Sequence, residues 1–329
     1  MTAEAVQAKN PAPMDVMIQV EGLTKRYGDV RAVDDISFQI RKGEVVGLLG
    51  PNGAGKTTTM KVLTCYMPPT SGKVTLDGLD VVDDPLSVRR RIGYLPESVP
   101  LYDEMGVYEY LDFIGRVRGL SGPRRREAIR DIAGRCGLKS VIWKGISQLS
   151  KGYRQRLGLA QAVLHDPDVV ILDEPTTGLD PNQIVEIRSL IRDLGKEKTV
   201  ILSTHILQEV EAVCDRVLII NQGRIIADGS PEQLHREFHG AQELQVVIRG
   251  TDAEAARSAL AGLEGVQGVE PGTDADGAVA LSLACVKDVD LREAVFRLCV
   301  ERGWVLLEMQ RKVVSLEAIF RQLTQGEGS

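Results

Sequence analysis

The chain of 329 residues has no run of 18 uninterrupted apolar residues, so no segment reads as a bilayer-spanning helix. Its first fifteen residues lack the basic start and apolar middle of a secretory signal and read as a disordered tail. Positive charge is not in excess: 40 Lys and Arg stand against 46 Asp and Glu, a net charge of -6, which argues against a strongly basic nucleic-acid binder. The five cysteines include no C-x-x-C pair, and their number is odd, which speaks against a disulfide framework or a zinc module and for a reducing cytosol. There is no internal repeat, low-complexity segment or heptad array. What is there is ordinary for a globular protein, 43% hydrophobic and 26% charged, at a length suited to about two domains.

Between about 17 and 238 short apolar runs alternate with helix-like segments. Residues 45–49 (VVGLL), 169–172 (VVIL) and 199–202 (TVIL) are too continuously apolar for a half-exposed strand and suit a parallel sheet buried on both faces. Pro181 opens a helical pattern with Ile184, Ile187, Leu190, Ile191 and Leu194 on one face and Gly195 after it. This alternation predicts an α/β fold. From about 107 to 165 helical stretches dominate, so a helical subdomain, about 98–165, is read as inserted into the α/β core. A boundary near 239–240 separates a C-terminal accessory module, 240–329. Its order is strand 244–249, helix 252–263, strands near 266–270 and 278–283, helix 289–302 and strand 304–310, which is βαββαβ and predicts a small ferredoxin-like α+β domain. A last helix is expected at 315–323.

After VVGLL comes Gly50-Pro51-Asn52-Gly53-Ala54-Gly55-Lys56-Thr57-Thr58, which fits G-x-x-x-x-G-K-[ST] between a predicted strand and a predicted helix. Such a loop curls so that successive backbone N–H groups point at phosphate oxygens, and the helix that follows adds the positive end of its dipole. Lys56 is placed for the β- and γ-phosphates and Thr57 for Mg²⁺. A second apolar strand delivers Asp173 and Glu174. Strand alternation puts them on opposite faces, Asp173 for the metal and Glu174 to take a proton from attacking water. A third strand ends at His205, placed to bond the γ-phosphate and align that water, whereas His165 in LHDPD reads as a turn residue.

With these motifs goes Leu149-Ser150-Lys151-Gly152-Tyr153-Arg154-Gln155-Arg156, and in that order the chain resembles an ATP-binding cassette subunit of a transporter, over about 17–238. The resemblance implies a phosphate-loop ATPase cassette that uses ATP and Mg²⁺. It implies that Tyr27 stacks on adenine, and that Ser150 and Gly152, with Lys151 beside them, grip the γ-phosphate of a second cassette in a head-to-tail pair. Asp180, in Gly178-Leu179-Asp180, would lie on the loop that crosses to that partner. Glu97 stands where the family has a Gln near Mg²⁺, keeps the capacity to accept bonds and loses that of donating them. Lys151 and Tyr153 replace a Gly and the Gln of the family's LSGGQ. Catalytic roles fall to Glu174, His205 and Lys56, and metal contacts to Thr57, Asp173 and Glu97.

The resemblance further implies a cytoplasmic motor on the inner face of the membrane, with no nucleic acid as partner, paired as a homodimer and docked through 97–119 to a separate permease. The variants at 97 and 151, and the segment 314–320, resemble drug-export and gliding-motility cassettes. The competing reading is a non-transport cassette of DNA-repair or translation type. Against it, Lys56 and Ser150 are only 94 positions apart, with no coiled coil between them, and the chain carries one cassette. A kinase or GTPase would lack the signature segment. For the C-terminal module, dimerisation or regulation is preferred to ligand sensing.

Overall fold

A computed structural model describes residues 16–238, 242–272, 277–286 and 289–312. The expected tail up to residue 15, the closing helix at 315–323 and the segment 314–320 lie outside the described residues. The chain divides into two compact units, 1–231 and 232–329.

The first unit opens with a hairpin, β1 (Val16–Tyr27) and β2 (Val30–Arg41), followed by β3 (Val45–Leu49) and α1 (Lys56–Leu63). Next come β4 (Ser71–Leu76), β5 (Leu79–Asp80), α2 (Pro85–Arg91) and β6 (Ile92–Leu95). Helices α3 (Val107–Val117), α4 (Gly122–Arg135) and α5 (Lys151–Val163) form the helical insert. The unit returns to alternation with β7 (Val169–Asp173), α6 (Pro181–Gly195), β8 (Thr199–Thr204), α7 (Leu207–Val213), β9 (Arg216–Asn221) and β10 (Arg224–Gly229).

Six strands make the central sheet in the order β10-β9-β3-β8-β7-β6, parallel except for the β9–β10 hairpin. Every residue of β3, β7 and β8 is buried, which is why those runs carry no polar alternation. A second, antiparallel sheet has the order β2-β1-β4-β5. The parallel reading of the apolar runs did not anticipate it. Its strands instead alternate, as in Val33, Ile36, Phe38 and Ile40 of β2, and these join Met60, Leu63, Ile171 and Ile201 in one core.

In the second unit, α8 (Pro231–Phe238) spans the division between units; β11 (Gln242–Arg249), α9 (Ala253–Ala261), β12 (Val266–Pro271), β13 (Val279–Cys285), α10 (Arg292–Arg302) and β14 (Val305–Lys312) follow. The sheet is antiparallel in the order β12-β13-β11-β14, the ferredoxin-like arrangement that βαββαβ predicts. Val246, Ile248, Leu281 and Leu283 meet Ala256, Leu260, Val295 and Cys299 in a separate core.

None of the five cysteines is joined in a disulfide. Burial pushes the Cys65 thiol up to about 11 and Cys136 up to about 12, and raises Cys214 and Cys299 as well. His165 lies in a turn, half-buried, and is satisfied on one side only: its Nε2 stands 3.2 Å from the Ile92 carbonyl, to which the neutral ring donates, and its Nδ1 has no partner. Burial, with Arg118 nearby, lowers its pKa to about 4. Between about pH 6.5 and 4 the unfolded chain therefore binds a proton that the folded chain refuses, so His165 makes stability fall as pH drops through that window. The expected loss is about 3 kcal/mol by pH 4. Denaturant titrations at several pH values check it: the curve for His165→Gln should be flatter than that of the unaltered chain, and parallel curves would refute the assignment.

Candidate functional site

The parallel strands β3, β7 and β8 lie side by side, so their carboxyl ends open at one edge of the sheet. Ligands of α/β sheets bind at that edge. The loop 50–55 leaves β3 there and is tied to the end of β8 by the Gly50 N–H, which donates to the Thr204 carbonyl at 3.3 Å. Gly55 is the residue before α1, with φ +107, and a Cβ on it would strike the Ala32 carbonyl, so glycine is required for the loop to turn into the helix. A cleft of about 430 Å³ runs along the loop, lined by Pro51, Asn52, Gly53, Ala54, Gly55, Lys56, Thr57 and Thr58, with Ala32, Glu97 and Glu174.

Lys56 is only 5% exposed. Its Nζ donates to the Gly50 and Pro51 carbonyls at 2.8 and 3.2 Å and pairs with Glu174 Oε1 at 3.2 Å. Glu174 Oε2 lies 2.9 Å from His205 Nδ1, so one carboxylate is held between a cation and an imidazole. Asp173, 1% exposed, accepts from Ser203 Oγ at 2.5 Å and from Thr57 Oγ1 at 3.3 Å, both at Oδ1. Its Oδ2 is buried without a partner.

The expectation that Asp173 and Glu174 face opposite ways is overturned. The strand ends at Asp173, and Glu174 takes φ +48, in the left-handed region. That turn breaks the alternation and brings both acids to the phosphate loop. Its cost, of order 1–3 kcal/mol, is met by surrounding contacts, among them the Glu174 N–H bond to Ser203 Oγ at 3.0 Å.

Tyr27, at the end of β1, is 46% exposed and is not among the residues lining the cleft. Its hydroxyl donates to Met67 Sδ at 2.9 Å. Ser150 caps α5, its Oγ accepting from the Tyr153 N–H at 3.4 Å, and Asp180 caps α6, accepting from the Gln183 N–H at 2.9 Å. The two helix starts are packed together: a Cβ on Gly152 would lie 2.6 Å from Gln183 Cδ, and the Lys151 ammonium lies against Gly178. Ser150, Lys151, Gly152 and Asp180 are thus brought to one another and stand outside the lining of the phosphate-loop cleft.

Behind the site stand polar residues that no sequence motif marks. Gln155 donates to the Pro175 carbonyl at 2.7 Å from the signature helix. Ser203 and Thr204, at the end of an otherwise apolar strand, and Glu209, a buried acid on α7, were the available signals.

A backbone cradle for phosphate, with a lysine inside it and acids at its mouth, is what a nucleoside triphosphatase of the phosphate-loop class requires. A model of the ABC transporter family matches residues 33–177, and an AAA-domain model matches 145–211. The chain is 41% identical over 238 residues to the ABC transporter ATP-binding protein NatA of Bacillus subtilis, covering 70% of this chain and 96% of that one. It is 36% identical over 311 residues to the daunorubicin resistance ATP-binding protein DrrA3 of Streptomyces coeruleorubidus, covering 94% and 96%. Among solved structures, an ATP-binding subunit of an ABC transporter superposes with TM-score 0.62 at 32% identity, over 68% of this chain and 93% of that one. A dimeric ATP-binding cassette bound to ADP and Pi gives 0.60 at 26% identity, over 65% and 98%. The chain belongs to the ABC transporter family, as an ATP-binding, ATP-hydrolysing subunit.

Proposed function

We propose that this chain powers a membrane exporter whose permease is a separate polypeptide, and that it works as one of two identical cassettes at the cytoplasmic face. One observation carries the reading: the likeness to a daunorubicin resistance protein runs through both units of the chain, over 94% of its length. No helix among the described residues is long and apolar enough to cross a membrane, which fits a permease on another chain.

In this reading the loop N–H groups and Lys56 hold the β- and γ-phosphates, and Tyr27 stacks on adenine. Mg²⁺ fits the site, because Asp173 Oδ2 is a buried oxygen without a protein partner beside the Thr57 hydroxyl. Thr57 and Asp173 would hold the ion, with Glu97 at the rim of the cleft, and it would offset charge on the transferring phosphate. Glu174 accepts a proton from the attacking water, and His205 holds Glu174 and the γ-phosphate in line. Ser150, Lys151 and Gly152 act on the partner's nucleotide: the Ser150 hydroxyl accepts the cap bond and keeps its own proton to donate. Their absence from the cleft lining of their own chain supports action in trans, with Asp180 on the crossing loop.

The permease would dock along 97–119. That segment borders a groove of about 1000 Å³ lined by Ile114, Val117, Arg118, Arg89 and Arg90, which suits an apolar segment bearing acidic residues. Isolation of the tagged chain from membranes should bring down a multi-span protein whose presence raises ATP turnover. Recovery with nucleic acid or ribosomes and no membrane partner would favour the non-transport reading. Removing residues 241–329 should leave ATP affinity within about twofold, since the unit has its own core. A large loss in a binding titration would make the C-terminal unit part of the cassette.

A further inference from the structure

Glu209 is a buried acid that the chemistry above does not use. It sits on α7 with 2% of its surface exposed, and no cation stands within ion-pair distance of it among the described residues. An isolated carboxylate in such a place is costly, and packing alone would favour a leucine. What it has instead is two hydroxyl donors: Thr204 Oγ1 donates to Oε2 at 2.7 Å, and Thr176 Oγ1 donates to Oε1. Each carboxylate oxygen is thus held by a hydroxyl from a different segment.

Thr204 immediately precedes His205, and Thr176 lies two residues after Glu174. Thr204 Oγ1 also accepts from the Ile206 N–H at 3.0 Å, so both flanks of His205 are tied to one side chain. The loop bearing Thr176 is held from its other side by Gln155, through the Pro175 carbonyl. Glu209 thus bridges the end of β7 and the end of β8, just behind the 2.9 Å contact between Glu174 and His205.

We infer that Glu209 is a positioning residue for hydrolysis: through Thr176 and Thr204 it fixes the separation of the Glu174 carboxylate and the His205 imidazole. The inference rests on the proposed roles of those two groups. Glu209 is not among the residues lining the phosphate-loop cleft, so its loss should alter turnover and spare binding.

The test uses the full chain, with ATP affinity and binding stoichiometry measured beside steady-state kinetics, so that an unfolded fraction does not enter kcat. Glu209→Ala should lower kcat per bound nucleotide on the order of 10- to 100-fold, the range for sub-ångström to ångström misplacement, with KM and ATP affinity within about threefold. Thr176→Val and Thr204→Val, which keep shape and remove a hydroxyl, should each give part of that loss. Neither should add to it in combination with Glu209→Ala. If Glu209→Ala does not fold, the two valine variants carry the test alone. Turnover close to that of the unaltered chain in the variants that fold would overturn the inference, as would a KM that rises in step with any fall in kcat. Glu174→Gln, run in parallel, separates the failures. If it is inactive while the Glu209 and threonine variants are not, only the positioning role falls; if it turns over freely, the catalytic reading falls and takes this one with it.

Discussion

Replacing Glu174 by glutamine should leave ATP bound and nearly abolish its hydrolysis. The substitution keeps shape in a position that is 6% exposed, so packing is preserved, but an amide cannot take up the proton that water gives up. Loss of a general base costs typically 10²–10⁴-fold, and turnover should fall by about that much. Affinity should hold or rise, because Glu174 Oε1 stands 3.2 Å from the Lys56 ammonium and competes with phosphate for it. With hydrolysis blocked and ATP retained, the proposed pair of cassettes should persist as a dimer. Phosphate release, an ATP titration and size-exclusion chromatography with and without ATP read the three effects. Robust turnover in this variant would remove Glu174 as the base.

The second large effect is on binding. Lys56→Ala removes a buried ammonium aimed into the loop, and with it bonds to charged phosphate oxygens worth about 1.5–3 kcal/mol each. ATP affinity should fall about 100-fold. The same change leaves Glu174 buried without its cation, beside His205 and the Thr177 hydroxyl, and breaking a buried pair costs about 3–5 kcal/mol of stability. The two consequences come apart in the double variant Lys56→Ala/Glu174→Gln, which removes the stranded charge. Its stability should recover much of the loss while its affinity stays low. Calorimetric titration and thermal unfolding measure them separately, and an unchanged ATP affinity in Lys56→Ala would sink the phosphate-loop assignment.

Much of this was legible in the sequence because it depends on short-range rules. VVGLL, VVIL and TVIL have no polar side to offer, so only a sheet covered on both faces can hold them, and Gly55-Lys56-Thr57 announces the loop that follows. The C-terminal βαββαβ order likewise sufficed for its sheet. What escaped was tertiary. The antiparallel sheet was written in the two-residue alternation of β2, a weaker pattern than a continuous apolar run. The direction of Glu174 depended on one backbone angle, which no periodicity specifies. Glu209 looked like any acid on a short helix, because its meaning lies in Thr176, 33 positions away.

The half-buried thiol of Cys65 and the buried ones of Cys136, Cys214, Cys285 and Cys299 carry a practical consequence. With Cys65 pushed up to about 11 and Cys136 up to about 12, only about one Cys65 in ten thousand is a thiolate at neutral pH, and fewer of Cys136. The phosphate loop itself contains no cysteine. Maleimide or iodoacetamide should therefore react slowly with the native chain and spare its nucleotide site. A cysteine introduced on the surface, at the signature helix for instance, could be labelled with the native thiols left in place, and slow labelling of the buried Cys136 and Cys214 would serve as a clock for how often the core opens.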